Sequence, residues 1–308
     1  IMLVGEDRTY ELIDKMFSTL RRCFDTDQVN IGMDEAPMMG RGKYLDKHGY
    51  PENAQELLFD HLTKVSEIAA KYGFKPTKWS DLIVHMTEKG NCRKVPENVT
   101  LCYWDYYHYT KKHYDDKFNL HSKLTDNVAF AGGAWCWAGF APMNKNSFAT
   151  MKYAMQCCHE RNINNVTITV WGDDGRECSC FSVLPALFYC AEKYLYQTKD
   201  SDIKKKFESV FGIKYDTFLL LDLPNEIKDR EKCNNPSRWG FFNDPFVGKF
   251  DYHIDIGDGM QYKSHALKLK RAAKNAGEFG YLFENLFRLC KVMELKYDLG
   301  VRTRKAYL

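Results

Sequence analysis

Apolar positions along the chain recur with two different periods. In residues 11–24, Leu12, Ile13, Met16, Phe17, Leu20 and Phe24 fall on one helical face. Residues 53–72 place Leu58, Leu62, Val65, Ala69 and Tyr72 at spacings of four and three, and Gly73 stands where a helix-ending glycine belongs. Helices are likewise predicted over 147–161, with Phe148, Met151, Ala154, Met155 and Cys158 inward, over 183–196, with Leu184, Leu187, Phe188, Ala191 and Leu195, and, more briefly, over 114–124. Between them lie short apolar runs of strand character: 29–33, a run ending at Thr77-Lys78-Trp79-Ser80-Asp81, and then 99–107, 128–137 and 166–171. Strands alternating with amphipathic helices predict an α/β fold with a parallel sheet and crossover helices.

Each strand ends in polar or aromatic residues. The first, a buried strand by its pattern of Val29, Ile31 and Met33, ends in the adjacent carboxylates Asp34 and Glu35, with Pro37 stopping the ladder. Polar side chains collected at the carboxyl ends of parallel strands are how α/β barrels build active sites. Residues 38–51 form a loop with three glycines and Arg41, Lys43 and Lys47, suited to a lid or a wall of a site. A polar break at 200–202 divides the chain into a barrel portion, 1–199, and a mostly helical C-terminal domain, 200–308. That domain has helices predicted over 204–211 and 279–299 and an irregular, aromatic stretch between them.

Composition removes some classes of function. Forty-four basic residues against 41 acidic ones give a net charge of +3, no footprint for nucleic acid or an anionic membrane, and no apolar run approaches a membrane span. The 11 cysteines are odd in number, have no regular spacing and include no CxxC pair, so they read as reduced thiols of a cytoplasmic protein. His85, His108, His113, His121 and His159 are scattered, and neither a metal nor any other cofactor is expected. The opening Ile1-Met2-Leu3 has no charged region or cleavage site and does not look like a natural start.

Chemistry enters with the tryptophans. Trp79, Trp104, Trp135, Trp137 and Trp171 all lie at or near strand ends, beside Asp34, Glu35, Asp81, Asp105, Asp173 and Asp174. Any one indole could cap a barrel interior; five among carboxylates suit a sugar, whose ring faces stack on indoles while its hydroxyls bond to acidic oxygens. Two consecutive residues cannot easily straddle a glycosidic bond as the two carboxylates of most glycosidases do. Asp34 and Glu35 fit substrate assistance instead: one protonates the leaving oxygen and the other orients a 2-acetamido group, whose carbonyl oxygen attacks the anomeric carbon to give an oxazoline.

Ile31-Gly32-Met33-Asp34-Glu35-Ala36 resembles the catalytic strand of family 20 β-N-acetylhexosaminidases. Tyr103-Trp104-Asp105-Tyr106-Tyr107, Gly132-Gly133-Ala134-Trp135-Cys136-Trp137-Ala138-Gly139-Phe140 and Trp171-Gly172-Asp173-Asp174-Gly175 are similar to later strand ends in the subgroup that includes streptococcal N-acetylglucosaminidases. The resemblance covers roughly 29–196, with an echo at Asn243-Asp244-Pro245. It implies a retaining exo-β-N-acetylhexosaminidase on a (β/α)8 TIM-type barrel, acting on β-linked N-acetylglucosaminides or N-acetylgalactosaminides. Glu35 would be the general acid/base and Asp34 would orient the acetamido nitrogen. Tyr106 or Tyr107 would bond the acetamido oxygen, Trp79, Trp104, Trp137 and Trp171 would wall the sugar, and Asp173 or Asp174 would bind O4 and O6. Trp135 is as much a structural as a functional candidate.

The family barrel has eight strands and this chain shows five, the catalytic strand being the family's fourth. The three missing units normally carry an arginine that grips the sugar hydroxyls. Three explanations stay open: the chain is a fragment, another chain completes the barrel, or the barrel is open. An open sheet would leave an unpaired edge and favour association, a homodimer among the outcomes. The alternative function is a non-catalytic carbohydrate-binding protein or inactive fragment that keeps the aromatic pocket but has no use for a proton donor at Glu35.

Overall fold

The computed structural model describes residues 2–90, 92–228 and 235–307. Strands and helices alternate through α1 (Asp7–Cys23), β1 (Gln28–Asn30), α2 (Lys43–His48), α3 (Ala54–Lys71), β2 (Lys75–Trp79), α4 (Asp81–Glu88), β3 (Thr100–Trp104), α5 (Lys111–His121), β4 (Val128–Gly133), α6 (Asn144–Glu160) and β5 (Val166–Thr169). Helices follow: α7 (Leu184–Tyr196), α8 (Asp200–Phe211), α9 (Tyr215–Phe218), α10 (Pro236–Phe242), α11 (Gln261–Ala273), α12 (Gly280–Lys296) and α13 (Leu299–Tyr307). The strands form one sheet in the order β1-β2-β3-β4-β5, with parallel pairing that aligns Val29 with Pro76, Trp79 with Cys102 and Trp104 with Ala131. The fold class is therefore α/β: five strand-helix units of an α/β barrel, followed by helices.

By packing, the chain divides into two compact units. One holds Ile1–Asp105, Lys111–Ala131 and Arg161–Thr167; the other holds Tyr106–Thr110, Gly132–Glu160 and Ile168–Leu308.

In the first unit, α3 starts at Asn53, whose side chain accepts a hydrogen bond from the Gln55 amide at 3.0 Å and so satisfies one of the helix's open donors. One stripe of α3, Leu58, Phe59 and Leu62, packs with Ile83, Val99, Leu101 and Leu124. The next stripe, Val65 and Ala69, meets Ile13 and Phe17 of α1. The inward face of β3 is aromatic, with the Tyr103 ring centroid 5.2 Å from Phe118, 5.3 Å from Phe130 and 4.9 Å from His121.

β1 differs from its sequence pattern. It is three residues long and half-buried to exposed, not a buried strand running to Met33. The Asn30 side chain accepts from the Gly32 amide at 2.8 Å, and Gly32 and Met33 then take φ of +67° and +63°. A local side chain-to-backbone bond has outcompeted the ladder.

The second unit is built around a core of Phe207, Phe218, Tyr262, Leu269, Phe283, Leu286 and Met293. The acidic run at 200–202 is not a break but the opening of α8, where carboxylates favour the amino-terminal end of the helix dipole. Asp222 is buried and accepts from the Asn144 side chain and the Lys145 amide, each at 2.9 Å, which ties the segment after α9 to the start of α6. Among the described residues, no helix is long and apolar enough to cross a membrane.

Candidate active site

Asp34 and Glu35 sit just past β1, on the left-handed turn and not on the strand, and both are exposed. Glu35 itself has φ +41°. Its backbone N–H donates to Asp81 Oδ2 at 2.9 Å, at the first residue of α4. Trp79 N–H donates to the Gly32 carbonyl at 3.2 Å, so the end of β2 is stitched to the same turn. Beneath it lies Lys78, fully buried, whose ammonium donates to the carbonyls of Met33 at 3.0 Å and Trp79 at 2.6 Å. Desolvation brings Lys78 down to about 8, against the attraction of Asp81 and Asp34.

Trp79 and Trp104 share one patch. Both pack over Cys102, Ala129 and Ala131, small residues that alternate along β3 and β4 and leave room for indoles. Next to Trp104, Asp105 is buried; Tyr103 Oη donates to its Oδ2 at 2.8 Å, and His113 Nε2 lies 2.9 Å from the same oxygen. The Ser80 hydroxyl is 2.8 Å from His121 Nε2, in an interior that pushes His121 down to about 4 by desolvation. A cleft of about 390 Å³ also opens in this unit, lined by Ile13, Phe17, Val29, Ile31, Met33 and Asp34 among others. Its walls are mostly apolar, with Asn30, Asp34 and His61 as the polar residues, which makes it poor ground for sugar hydroxyls.

In the second unit, Tyr106, Tyr107, Trp135 and Trp137 form a single aromatic cluster. Tyr106 meets Trp137 edge-on at 5.1 Å, and both tyrosines meet Trp135 edge-on, at 6.3 and 5.3 Å. The Trp135 indole N–H donates to the Tyr106 carbonyl at 2.9 Å. Gly133 allows this approach, because a Cβ there would lie 2.6 Å from the Trp137 ring and 3.0 Å from that of Tyr106. Tyr106 and Trp137 are buried and Tyr107 is exposed. Trp171 is 36% exposed, and its carbonyl accepts from Cys136 Sγ at 3.2 Å. Asp173 is exposed and opens a short 3-10 turn, while the Asp174 side chain lies outside the described residues.

The expected residues are divided between the units: Asp34, Glu35, Trp79 and Trp104 lie in one, and Tyr106, Tyr107, Trp137, Trp171 and Asp173 lie in the other. Sequence reasoning overlooked Lys78. Its signal is strand parity: Lys78 shares a face with Pro76, which is buried, and opposes the face of Lys75 and Trp79.

Residues 216–308 match the family model described as the Glycoside Hydrolase 20C C-terminal domain. No curated protein matches the chain. Among solved structures, the β-N-acetylhexosaminidase from Bacteroides fragilis NCTC 9343 is similar at 17% identity and TM-score 0.48, over 67% of this chain and 44% of that one. The GH20 exo-β-N-acetylglucosaminidase from Vibrio harveyi, in complex with N-acetylglucosamine, aligns at 16% identity and TM-score 0.46, over 70% and 35%. The GH20 β-N-acetylhexosaminidase from Streptomyces coelicolor A3(2) aligns at 13% and 0.43, over 72% and 42%. The chain spans less than half the length of these structures. By that match, residues 216–308 form a domain of the Glycoside Hydrolase 20C C-terminal type.

Proposed function

We propose that the protein is a retaining exo-β-N-acetylhexosaminidase that removes terminal β-linked N-acetylglucosamine or N-acetylgalactosamine by substrate assistance. The observation that carries this reading is the turn after β1, which presents two adjacent, exposed carboxylates with their backbone fixed from β2 and α4. Glu35 gives its proton to the glycosidic oxygen as the bond from that oxygen to the anomeric carbon breaks. The acetamido carbonyl oxygen forms the new bond to that carbon, on the opposite face. Asp34 accepts the amide N–H and stabilises the positive charge of the oxazolinium ion. Water, deprotonated by Glu35, then adds at the anomeric carbon and opens the ring with net retention. Trp79, Trp104, Trp137 and Trp171 are the proposed sugar-stacking residues. Asp173 or Asp174 is the proposed partner for O4 and O6, and Tyr106 or Tyr107 the partner for the acetamido oxygen.

The test is hydrolysis of an aryl β-N-acetylglucosaminide and the corresponding galactosaminide, with a thiazoline mimic of the oxazoline as inhibitor. Turnover blocked by the thiazoline, abolished in Glu35→Gln and slowed in Asp34→Asn, is the expected result. Wild-type rates in Glu35→Gln would overturn the mechanism. Thiazoline binding without turnover would make the protein a carbohydrate-binding member of the family.

A further inference from the structure

The turn carrying Asp34 and Glu35 is held in a conformation that L-residues seldom keep unaided. Met33 and Glu35 are non-glycine residues with φ of +63° and +41°, flanking Asp34, and Gly32 precedes them at +67°. Local bonding accounts only for its start, through Asn30 and Gly32. Two side chains from elsewhere in the first unit fix the remainder. The Lys78 ammonium reaches the Met33 carbonyl from β2, and the Asp81 carboxylate accepts the Glu35 N–H from the start of α4.

Neither side chain is placed as a routine packing residue. An apolar side chain would fill the position of Lys78 without desolvating a charge, and Lys78 is fully buried. What a lysine adds is reach, because one nitrogen bridges a carbonyl of the turn after β1 and the carbonyl that ends β2. Asp81 Oδ1 is buried and has no hydrogen-bond partner among the described residues, so that carboxylate is held in place by its other oxygen's bond to Glu35 and by the nearby ammonium. Burial lowers the affinity of Lys78 for its proton, and Asp81 and Asp34 restore part of it.

We infer that Lys78 and Asp81 are positioning residues, a two-point clamp that holds the 32–35 turn and sets where Asp34 and Glu35 project. This rests on the reading of Asp34 and Glu35 as the reacting pair. Neither clamp residue touches substrate; each acts through the backbone of the turn.

The experiment compares the full chain with its Lys78→Met and Asp81→Ala variants. Hydrogen exchange read by mass spectrometry on peptides spanning 29–38 is expected to quicken at least tenfold in both variants. Exchange across α3 should be unchanged, which shows that the fold is kept. On the aryl N-acetylglucosaminide, kcat is expected to fall at least tenfold while KM stays within threefold. Unchanged exchange over 29–38 overturns the clamp. Faster exchange with unchanged kcat overturns the positioning role. If the wild-type chain shows no turnover, the proposed activity fails, yet the exchange comparison still decides the clamp. Should Lys78→Met not fold, Asp81→Ala, which leaves the lysine in place, decides it alone.

Discussion

Trp135 and Trp137 stack with their ring centroids 4.6 Å apart and their planes 24° from parallel. The two rings have different tasks. Trp135 is buried, is bonded through its N–H to the Tyr106 carbonyl and is boxed by both tyrosine edges. Trp135→Phe removes that bond and part of the stack, and should cost about 2 kcal/mol of stability, read from the urea midpoint. Trp171, an exposed residue, should behave in the opposite way: Trp171→Ala changes stability by under about 1 kcal/mol. If Trp171 walls the sugar, the same variant raises KM by about tenfold, the worth of one stacking contact.

Lys78 makes stability depend on pH at the alkaline end. Its proton affinity falls from 10.5 unfolded to about 8 folded, so between these pH values the unfolded chain binds more protons and the folded state gains as pH rises. Below pH 8 the full cost is present, on the order of 3 kcal/mol. Lys78→Met removes that cost but deprives two carbonyls of a donor, at about 1–3 kcal/mol each, so the variant should fold with near wild-type stability at pH 7. From pH 8 to 10 wild type should gain on the variant, as paired urea titrations would show.

Asp222 acts in the acidic range with the reverse slope. Burial lifts it from 3.8 to about 7, against the pull of the Lys145 and Asn144 donors. The folded state therefore holds the proton more tightly, and the stabilisation, complete below about pH 4, is lost as pH rises to 7. The difference between wild type and Asp222→Asn should accordingly be largest near pH 4 and shrink by up to about 4 kcal/mol by pH 7. A difference independent of pH would show that Asp222 keeps its ordinary acidity.

Much of this architecture could be read from periodicity, because long amphipathic helices carry repeated signals. The helix from Ala54 to Lys71 is announced by its apolar stripe and Gly73, while its Asn53 cap emerges only with the structure. The turn after β1 was not legible. Val29, Ile31 and Met33 keep the alternation of a strand, but Asn30 bonds back to Gly32 and the chain leaves the ladder. Periodicity cannot weigh one such bond against two strand residues. The aspartates at 200–202 misled for a related reason: polarity marks a loop and a helix's first turn alike. Lys78 went unnoticed because a lysine in a strand is ordinarily turned outward, and the parity that puts it on the face of Pro76 gains weight only once tertiary contacts show that face buried.

The thiols give the fold an unplanned use. Cys23 and Cys92 are exposed, whereas Cys102, Cys136, Cys157, Cys158, Cys178, Cys190 and Cys290 are buried. Desolvation carries Cys102 and Cys290 up to about 12, so at neutral pH they are thiols shut away from reagents. Among the described residues, a brief maleimide pulse would cap Cys23 and Cys92 first and the half-buried Cys180 more slowly, and would reach the buried thiols only as fast as the interior opens. Cys102 would keep time for the first unit, and Cys290, with the other buried thiols beside it in that unit, for the second, so the unmodified chain carries its own clocks for the opening of each.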